Sequence, residues 1–161
     1  MTDLTPEYLT LCELLQKCRA SPTYNKSLVH ILACHRNRPV DLIELVIEWF
    51  DRDSKHYSTR YAVQANKDTV VGISRVTYNK KANKGFISMV HVIESYRGKK
   101  VCHNMLRFLC GKIYKRKHIT RFYLDVLADN LSAIKCYQNI GFNPIGNKNS
   151  HISMELNIKN T

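Results

Sequence analysis

The stretch Ile87-Ser-Met-Val-His-Val-Ile-Glu-Ser-Tyr-Arg-Gly-Lys-Lys-Val-Cys-His-Asn-Met-Leu-Arg-Phe-Leu-Cys110 changes period halfway along. Phe86 to Ile93 is an almost unbroken apolar, β-branched run, the pattern of a strand buried on both faces. Ser95-Tyr96-Arg97-Gly98 then reads as a tight, positively charged turn. From Lys99 the spacing becomes helical: Val101, Met105, Leu109 and Ile113 fall four apart, with Cys102, Leu106 and Cys110 in the adjoining row. A helix start carries backbone N–H groups with no internal partner and the positive end of the helix dipole. With Arg97, Lys99 and Lys100 beside it, such a start suits a phosphate or diphosphate. An ordinary strand–helix connection with solvated lysines accounts for the same residues.

Working outward, Tyr61–Ala65 and Val70–Tyr78 read as strands joined by a hairpin turn at Asn66-Lys67-Asp68. Asn79–Gly85 is a second turn. After the central helix, Arg121–Leu127 is another buried strand, and Asp129-Asn130 starts a helix that ends at Gly141-Phe142, with glycine in the C-terminal role. His151–Ile158 alternates Ile152, Met154, Leu156 and Ile158, the period of a half-buried strand. Upstream, Thr5-Pro6 opens a helix carrying Leu11, Leu14, Leu15 and Cys18, broken at Ser21-Pro22. Leu28–Cys34 is ambiguous between helix and strand. Pro39 starts an amphipathic helix with Leu42, Ile43, Val46, Ile47 and Phe50 on one side and Trp49 beside them, followed by a charged loop, Asp51–Ser58. A mixed sheet with helices packed on it follows, α/β or α+β, in one domain spanning residues 1–161.

The chain has 161 residues, 44% of them hydrophobic and 24% charged, which fits a globular domain with a sizeable core. No apolar run is long enough to span a bilayer, and Met1-Thr2-Asp3-Leu4-Thr5-Pro6 lacks signal-peptide character, so a cytoplasmic location is expected. The six cysteines form no Cys-x-x-Cys pair and read as free thiols. Cys34, His35 and His30 match no metal module, and no metal is expected. A net charge of +12 favours anionic partners, whether nucleotides, nucleic acid or acidic surfaces, without choosing among them. The run Lys112, Lys115, Arg116, Lys117 and Arg121 closes the central helix, where cations complement the dipole.

Two segments in one chain, Val92-Ile-Glu-Ser-Tyr-Arg-Gly-Lys99 and Leu124-Asp-Val-Leu-Ala-Asp-Asn-Leu-Ser-Ala-Ile-Lys-Cys-Tyr-Gln-Asn-Ile-Gly-Phe142, resemble the acetyl-coenzyme A core of the GNAT (Gcn5-related N-acetyltransferase) family. The resemblance covers about Tyr61 to Ile158 (a 61–158 core) and leaves 1–58 as a helical, substrate-side region. It implies a mostly antiparallel central sheet splayed between two parallel strands, with helices on both faces. It implies acetyl-coenzyme A as cosubstrate, lying in the splay. Val90, His91 and Val92 would border the pantetheine arm, and Arg97, Gly98, Lys99, Lys100, Val101 and Cys102 the diphosphate. Asn130 and Ala133 would touch the coenzyme from the next helix, and Tyr137 would stand near the sulfur as general acid. The family places small residues, mostly glycine, where this chain has Lys100 and Cys102.

Acetyl transfer needs a neutral amine, and an alkylammonium of pKa about 10.4 is neutral only about once in 10³ molecules at pH 7. A base is therefore useful. His91, Asp125 and Glu94 are candidates, and a water chain is an alternative. Tyr137 also reads as an aromatic packed under Phe142. The acceptor class is open: a peptide N-terminus, a small amine or an amino sugar. A non-catalytic acyl-coenzyme A-binding module and a basic nucleic-acid-binding protein are the competing functions. A monomer or homodimer is expected, with no membrane association.

Overall fold

The computed structural model describes residues 4–37, 39 and 57–160. Seven strands form one mixed sheet in the order β1-β2-β3-β4-β5-β7-β6. They are β1 (Glu7–Leu9), β2 (Ser58–Asn66), β3 (Thr69–Asn79), β4 (Lys84–Val92), β5 (Arg121–Leu127), β6 (Asn143–Lys148) and β7 (His151–Asn157). The described α-helices are α1 (Leu11–Ala20), α2 (Pro22–Arg36), α3 (Val101–Lys117) and α4 (Leu131–Ile140). All neighbouring strands pair antiparallel except β4 and β5, which are parallel. The mostly antiparallel sheet and its one parallel pair are those expected from the two matched segments. The amphipathic helix expected from Pro39, and the loop after it as far as residue 56, lie outside the described residues.

Two cores cover the two faces. On one face Val101, Met105, Leu106, Leu109 and Ile113 of α3 bury against Val76, Ile87, Phe122 and Leu124. On the other, Leu14 of α1 and Leu28, Ile31 and Leu32 of α2 bury against Tyr61, Val63 and Ile73. Each such aliphatic side chain contributes roughly 1.5–3 kcal/mol of burial free energy. Gly72 of β3 lies directly under the first of these contacts. A Cβ there would stand 2.9 Å from Val101 Cγ1 and from Met105 Cε, so those side chains would have to shift to admit it.

Several expectations are corrected. Thr5-Pro6 does not open α1. Residues Glu7–Leu9 pair with β2, and α1 begins after Thr10. The cap is a reciprocal box: Glu13 N–H donates to Thr10 Oγ1, and Glu13 Oε2 accepts from Thr10 N–H at 2.6 Å. Thr10-x-x-Glu13 satisfies two orphan donors, which Thr5-Pro6 cannot. The ambiguous Leu28–Cys34 is helix, inside α2. Strand β4 is not buried on both faces: Ile87 is 2% exposed but Phe86 is 47% exposed. Strand β5 alternates likewise, with Phe122, Leu124 and Val126 buried and Arg121, Asp125 and Leu127 exposed. Strand β6 was not anticipated. Its Pro144 and Gly146 depress strand propensity, and all six residues are exposed, as an edge strand tolerates.

Candidate active site

The parallel pair β4–β5 is short. Register is kept only from Lys84 opposite Arg121 to Phe86 opposite Tyr123. Beyond Phe86 the strands separate, so the C-terminal half of β4 turns an unpaired edge toward β5. The β3–β4 register also slips between Ile73 and Arg75. Opposite this slip Met89 takes φ of 55°, a left-handed conformation inside a strand. A bulge of this kind bends a strand and re-aims the residues after it. The residues after it are Val90, His91 and Val92.

The chain then makes a short 3-10 turn, Glu94–Tyr96, and enters α3 through two left-handed residues, Gly98 (φ 73°) and Lys100 (φ 60°). Lys100 holds the N-cap position of α3 without any side-chain cap, and no acidic residue lies in the first turn. The leading N–H groups of α3 are thus left open by the chain itself. Lys100 occupies the conformation that glycine adopts without penalty, at a cost of about 1–2 kcal/mol for an L-residue. This is the physical content of its departure from the family pattern.

Between the loose half of β4, the start of α3 and the start of α4 lies a cavity of about 990 Å³. Val90, His91 and Val92 line it from the strand, and Arg97, Gly98, Lys100, Val101 and Cys102 from the turn and α3. Asn130, Ala133 and Tyr137 line it from the α4 side. Lys99 is not among the lining residues. Its ammonium lies over the Tyr96 ring, 5.0 Å from the centroid. The Asn130 side chain is engaged locally, capping α4 through Ala133 N–H at 3.2 Å and accepting from Ser132 Oγ at 3.1 Å.

Tyr137 is 7% exposed and meets Phe142 edge to face, with ring centroids 6.0 Å apart. Burial, with smaller contributions from the Cys102 and Cys136 thiols, pushes the phenol well above its ordinary range. The hydroxyl therefore keeps its proton at any physiological pH. His91 is pushed the opposite way, down to about 4, first by burial and then by His35, Arg97 and His30. The His35 and His91 rings pack edge to face at 5.9 Å. His91 is a neutral imidazole at pH 7 and so retains a nitrogen able to accept a proton.

Asp125 is elsewhere. Strand alternation sends Leu124 and Val126 into the α3-side core, so Asp125 projects from the opposite face. There it accepts a hydrogen bond from Ser153 Oγ at 2.6 Å and lines a smaller cavity of about 380 Å³ with Phe86, Tyr123 and Ile145. Glu94 is exposed in the 3-10 turn and lines neither cavity. The large cavity also takes in Tyr96, His103, Ser132, Lys135, Cys136 and Asn139, which sequence reasoning did not single out. Ser132, Lys135, Cys136 and Asn139 recur at helical spacing beside Ala133 and Tyr137, so the periodicity was a usable signal. Among the described residues no cluster of three His, Cys, Asp or Glu side chains could hold a metal ion. No described helix is long and apolar enough to cross a membrane.

A loosened parallel strand pair, a basic uncapped helix start and a buried phenol thus surround one cavity. The sequence model of the acetyltransferase (GNAT) family matches residues 23–142, and the chain belongs to that family of acyltransferases. No curated protein matches the sequence. Solved structures give the same fold. A ribosomal-protein-alanine N-acetyltransferase from Brucella melitensis superposes with a TM-score of 0.64 at 20% identity, over 96% of this chain and 99% of that one. A mutant of a spermidine N-acetyltransferase from Vibrio cholerae gives 0.69 at 15% identity, over 97% and 96%. The paia N-acetyltransferase of Thermoplasma acidophilum, in complex with coenzyme A, gives 0.61 at 17% identity, over 96% and 99%.

Proposed function

We propose that this protein moves the acetyl group of acetyl-coenzyme A to a primary amine by direct attack in a ternary complex, with Tyr137 as general acid. One observation carries the reading. A single cavity joins the unpaired edge of β4, the uncapped cationic start of α3 and a phenol that burial keeps protonated at physiological pH. The diphosphate rests on the open N–H groups after Lys100, with Arg97 and Lys100 adding whole charges. The pantetheine arm lies along Val90–Val92 and supplies the strand edge with the partner that β5 does not.

The amine attacks the thioester carbon. Charge grows on the carbonyl oxygen, where a backbone N–H of the loosened strand donates. On collapse the C–S bond breaks, and the thiolate takes its proton from the Tyr137 hydroxyl. Burial raises the proton affinity of a thiolate formed there as it raises that of the phenol, so the transfer is not opposed by the site. The amine's proton passes to a water beside His91, which is the one of the three sequence candidates that lines this cavity and which burial makes a weak base itself. Because His91 stays neutral down to about pH 4, the acidic limb of the rate profile follows the amine's own ionisation. The free thiols among the described residues accord with a reducing, cytoplasmic setting.

The test is Tyr137→Phe, assayed by thiol release over a panel of amines. The expected loss in kcat is roughly 10²-fold or more, with coenzyme affinity unchanged by calorimetry. An unaltered kcat removes Tyr137 from the chemistry. Coenzyme binding by the parent protein without thiol release for any amine makes it an acyl-coenzyme A-binding module instead.

A further inference from the structure

Cys102 and Cys136 are 34 residues apart in the chain, yet their sulfurs lie 2.9 Å apart across the wall of the large cavity. Both side chains are half-buried, open to the cavity rather than sealed in the core. Cys102 is the second residue of α3, and Cys136 immediately precedes Tyr137 in α4. A disulfide sulfur pair stands about 2.05 Å apart, so bonding requires the two sulfurs to close by less than an ångström. Cys110, by contrast, is buried in the core with no sulfur partner shown. Arg97, Lys100 and Lys135 line the same cavity. Cys136 Sγ donates to Cys102 Sγ; the pairing holds the Cys136 thiol below its ordinary range and, with burial, the Cys102 thiol above.

We propose that Cys102 and Cys136 form a dithiol–disulfide modification site, and that the dithiol is the form that accepts the acyl carrier. The oxidant class is a low-molecular-weight disulfide. Cys136 thiolate attacks one of its sulfurs, forming a mixed disulfide and expelling the first thiolate. Cys102 then attacks Cys136 Sγ and expels the second. Two protein thiols are oxidised, one disulfide is reduced to two thiols, and the two protons go to the leaving thiolates. The new bond ties the first turn of α3, where the diphosphate is placed, to the helix that carries Tyr137. It repacks both side chains in the cavity wall. The effect on the coenzyme rests on the function proposed above, whereas the cross-link does not.

The experiment equilibrates the full-length protein in glutathione–glutathione disulfide buffers, traps free thiols by alkylation and maps tryptic peptides by mass spectrometry. The expected product is Val101–Arg107 joined to Cys136–Lys148, with a loss of two reactive thiols. Alkylated Cys102 and Cys136 throughout, or a bond to a different cysteine, overturns the site. Calorimetry with acetyl-coenzyme A then compares the oxidised and dithiothreitol-reduced protein. About tenfold weaker binding after oxidation is expected, equivalent to ~1.4 kcal/mol, reversed by reduction. The response should be absent in Cys136→Ser. Equal affinity in the two states overturns the gating. Absence of coenzyme binding in both states, with the cross-link present, overturns the acetyl-transfer reading and leaves the modification site standing.

Discussion

The starts of α1 and α3 present the same physical problem and solve it in opposite ways. Each helix begins with backbone N–H groups that its own carbonyls cannot reach. At α1 the chain closes the gap itself. Thr10 accepts from Glu13 N–H, Glu13 reaches back to Thr10 N–H, and the carboxylate sits at the positive end of the dipole. At α3 nothing closes it. Lys100 makes no cap, no acid lies in the first turn, and Arg97 and Lys100 raise the positive potential further. Helix α2 is capped by Ser21 and α4 by Asn130, so α3 is the exception among the described α-helices. Helix α3 thus starts unsatisfied and opens into the large cavity, which is where the function proposed above puts the diphosphate.

The sharpest way to break this contrast is to reverse the charge at the start of α3. Lys100→Asp replaces a cation by a carboxylate at the cap position and keeps a residue type that tolerates the left-handed backbone. Affinity for acetyl-coenzyme A should fall by roughly 10²-fold, since a charge on the diphosphate side changes sign within contact distance. Thermal stability should meanwhile rise by only about 0.3–0.5 kcal/mol, from the carboxylate at the positive end of the dipole, because the left-handed backbone at residue 100 does not aim an N-cap side chain as Thr10 does. Calorimetry and thermal melting read the two effects separately. Unchanged affinity would mean that no anion rests at this turn. The matched change at the closed start is Thr10→Ala. It should cost about 1 kcal/mol of stability and leave coenzyme affinity untouched. A loss of affinity there would show that the two ends are coupled and the contrast is false.

Much of this was readable before any coordinates. The α3 stripe of Val101, Met105, Leu109 and Ile113 is a local periodicity, and those four side chains are buried. The hairpin at Asn66–Asp68 follows from turn chemistry, and the cap of α4 from Asn130. The cap of α1 was equally written, as Thr10-x-x-Glu13, but Thr5-Pro6 is the more familiar opening and hid it. Asp125 shows a limit of another kind. Its place in the second matched segment says nothing about its face, whereas the alternation of Leu124, Asp125 and Val126 already turns it away from α3. Lys99 shows that a position in a phosphate-binding turn does not fix side-chain direction, because the Tyr96 ring holds its ammonium instead. Contacts such as Cys102 with Cys136, or His35 with His91, depend on how separate elements pack, and no single-sequence period encodes them.

A smaller effect sharpens the contrast within α3 alone. Lys100→Gly removes the left-handed penalty while keeping the start uncapped. The penalty is about 1–2 kcal/mol, and greater freedom of the unfolded chain takes back part of it, about 0.4–1 kcal/mol. A net gain of several tenths of a kcal/mol is expected in chemical denaturation. Coenzyme affinity should be intact or tighter, because the backbone can then approach the phosphates closely. Collapse of binding would identify the Lys100 ammonium as a phosphate ligand in its own right.

The smallest effect separates the two starts by pH. The hydrogen bonds from Thr10 hold the Glu13 carboxyl below its ordinary value, while the first turn of α3 contains no acid to titrate. A carboxyl whose folded pKa is depressed stabilises the fold above its unfolded pKa and loses that contribution as pH falls through the folded one. The pair is solvent-exposed, so screening limits its worth to about 0.3–0.5 kcal/mol. His91 acts over a higher window. Its pKa of about 4 in the fold lies below the ordinary 6.5, so the unfolded chain takes up the proton first and stability declines as pH falls between those values. Urea denaturation of the parent and of Glu13→Gln should therefore run in parallel from pH 6.5 down to the carboxylate range. Below that the curves should converge, because the parent alone still has the Glu13 contribution to lose. A constant offset down to pH 3 would show that the box acts through hydrogen bonds indifferent to charge, and the electrostatic half of the comparison between α1 and α3 would fall.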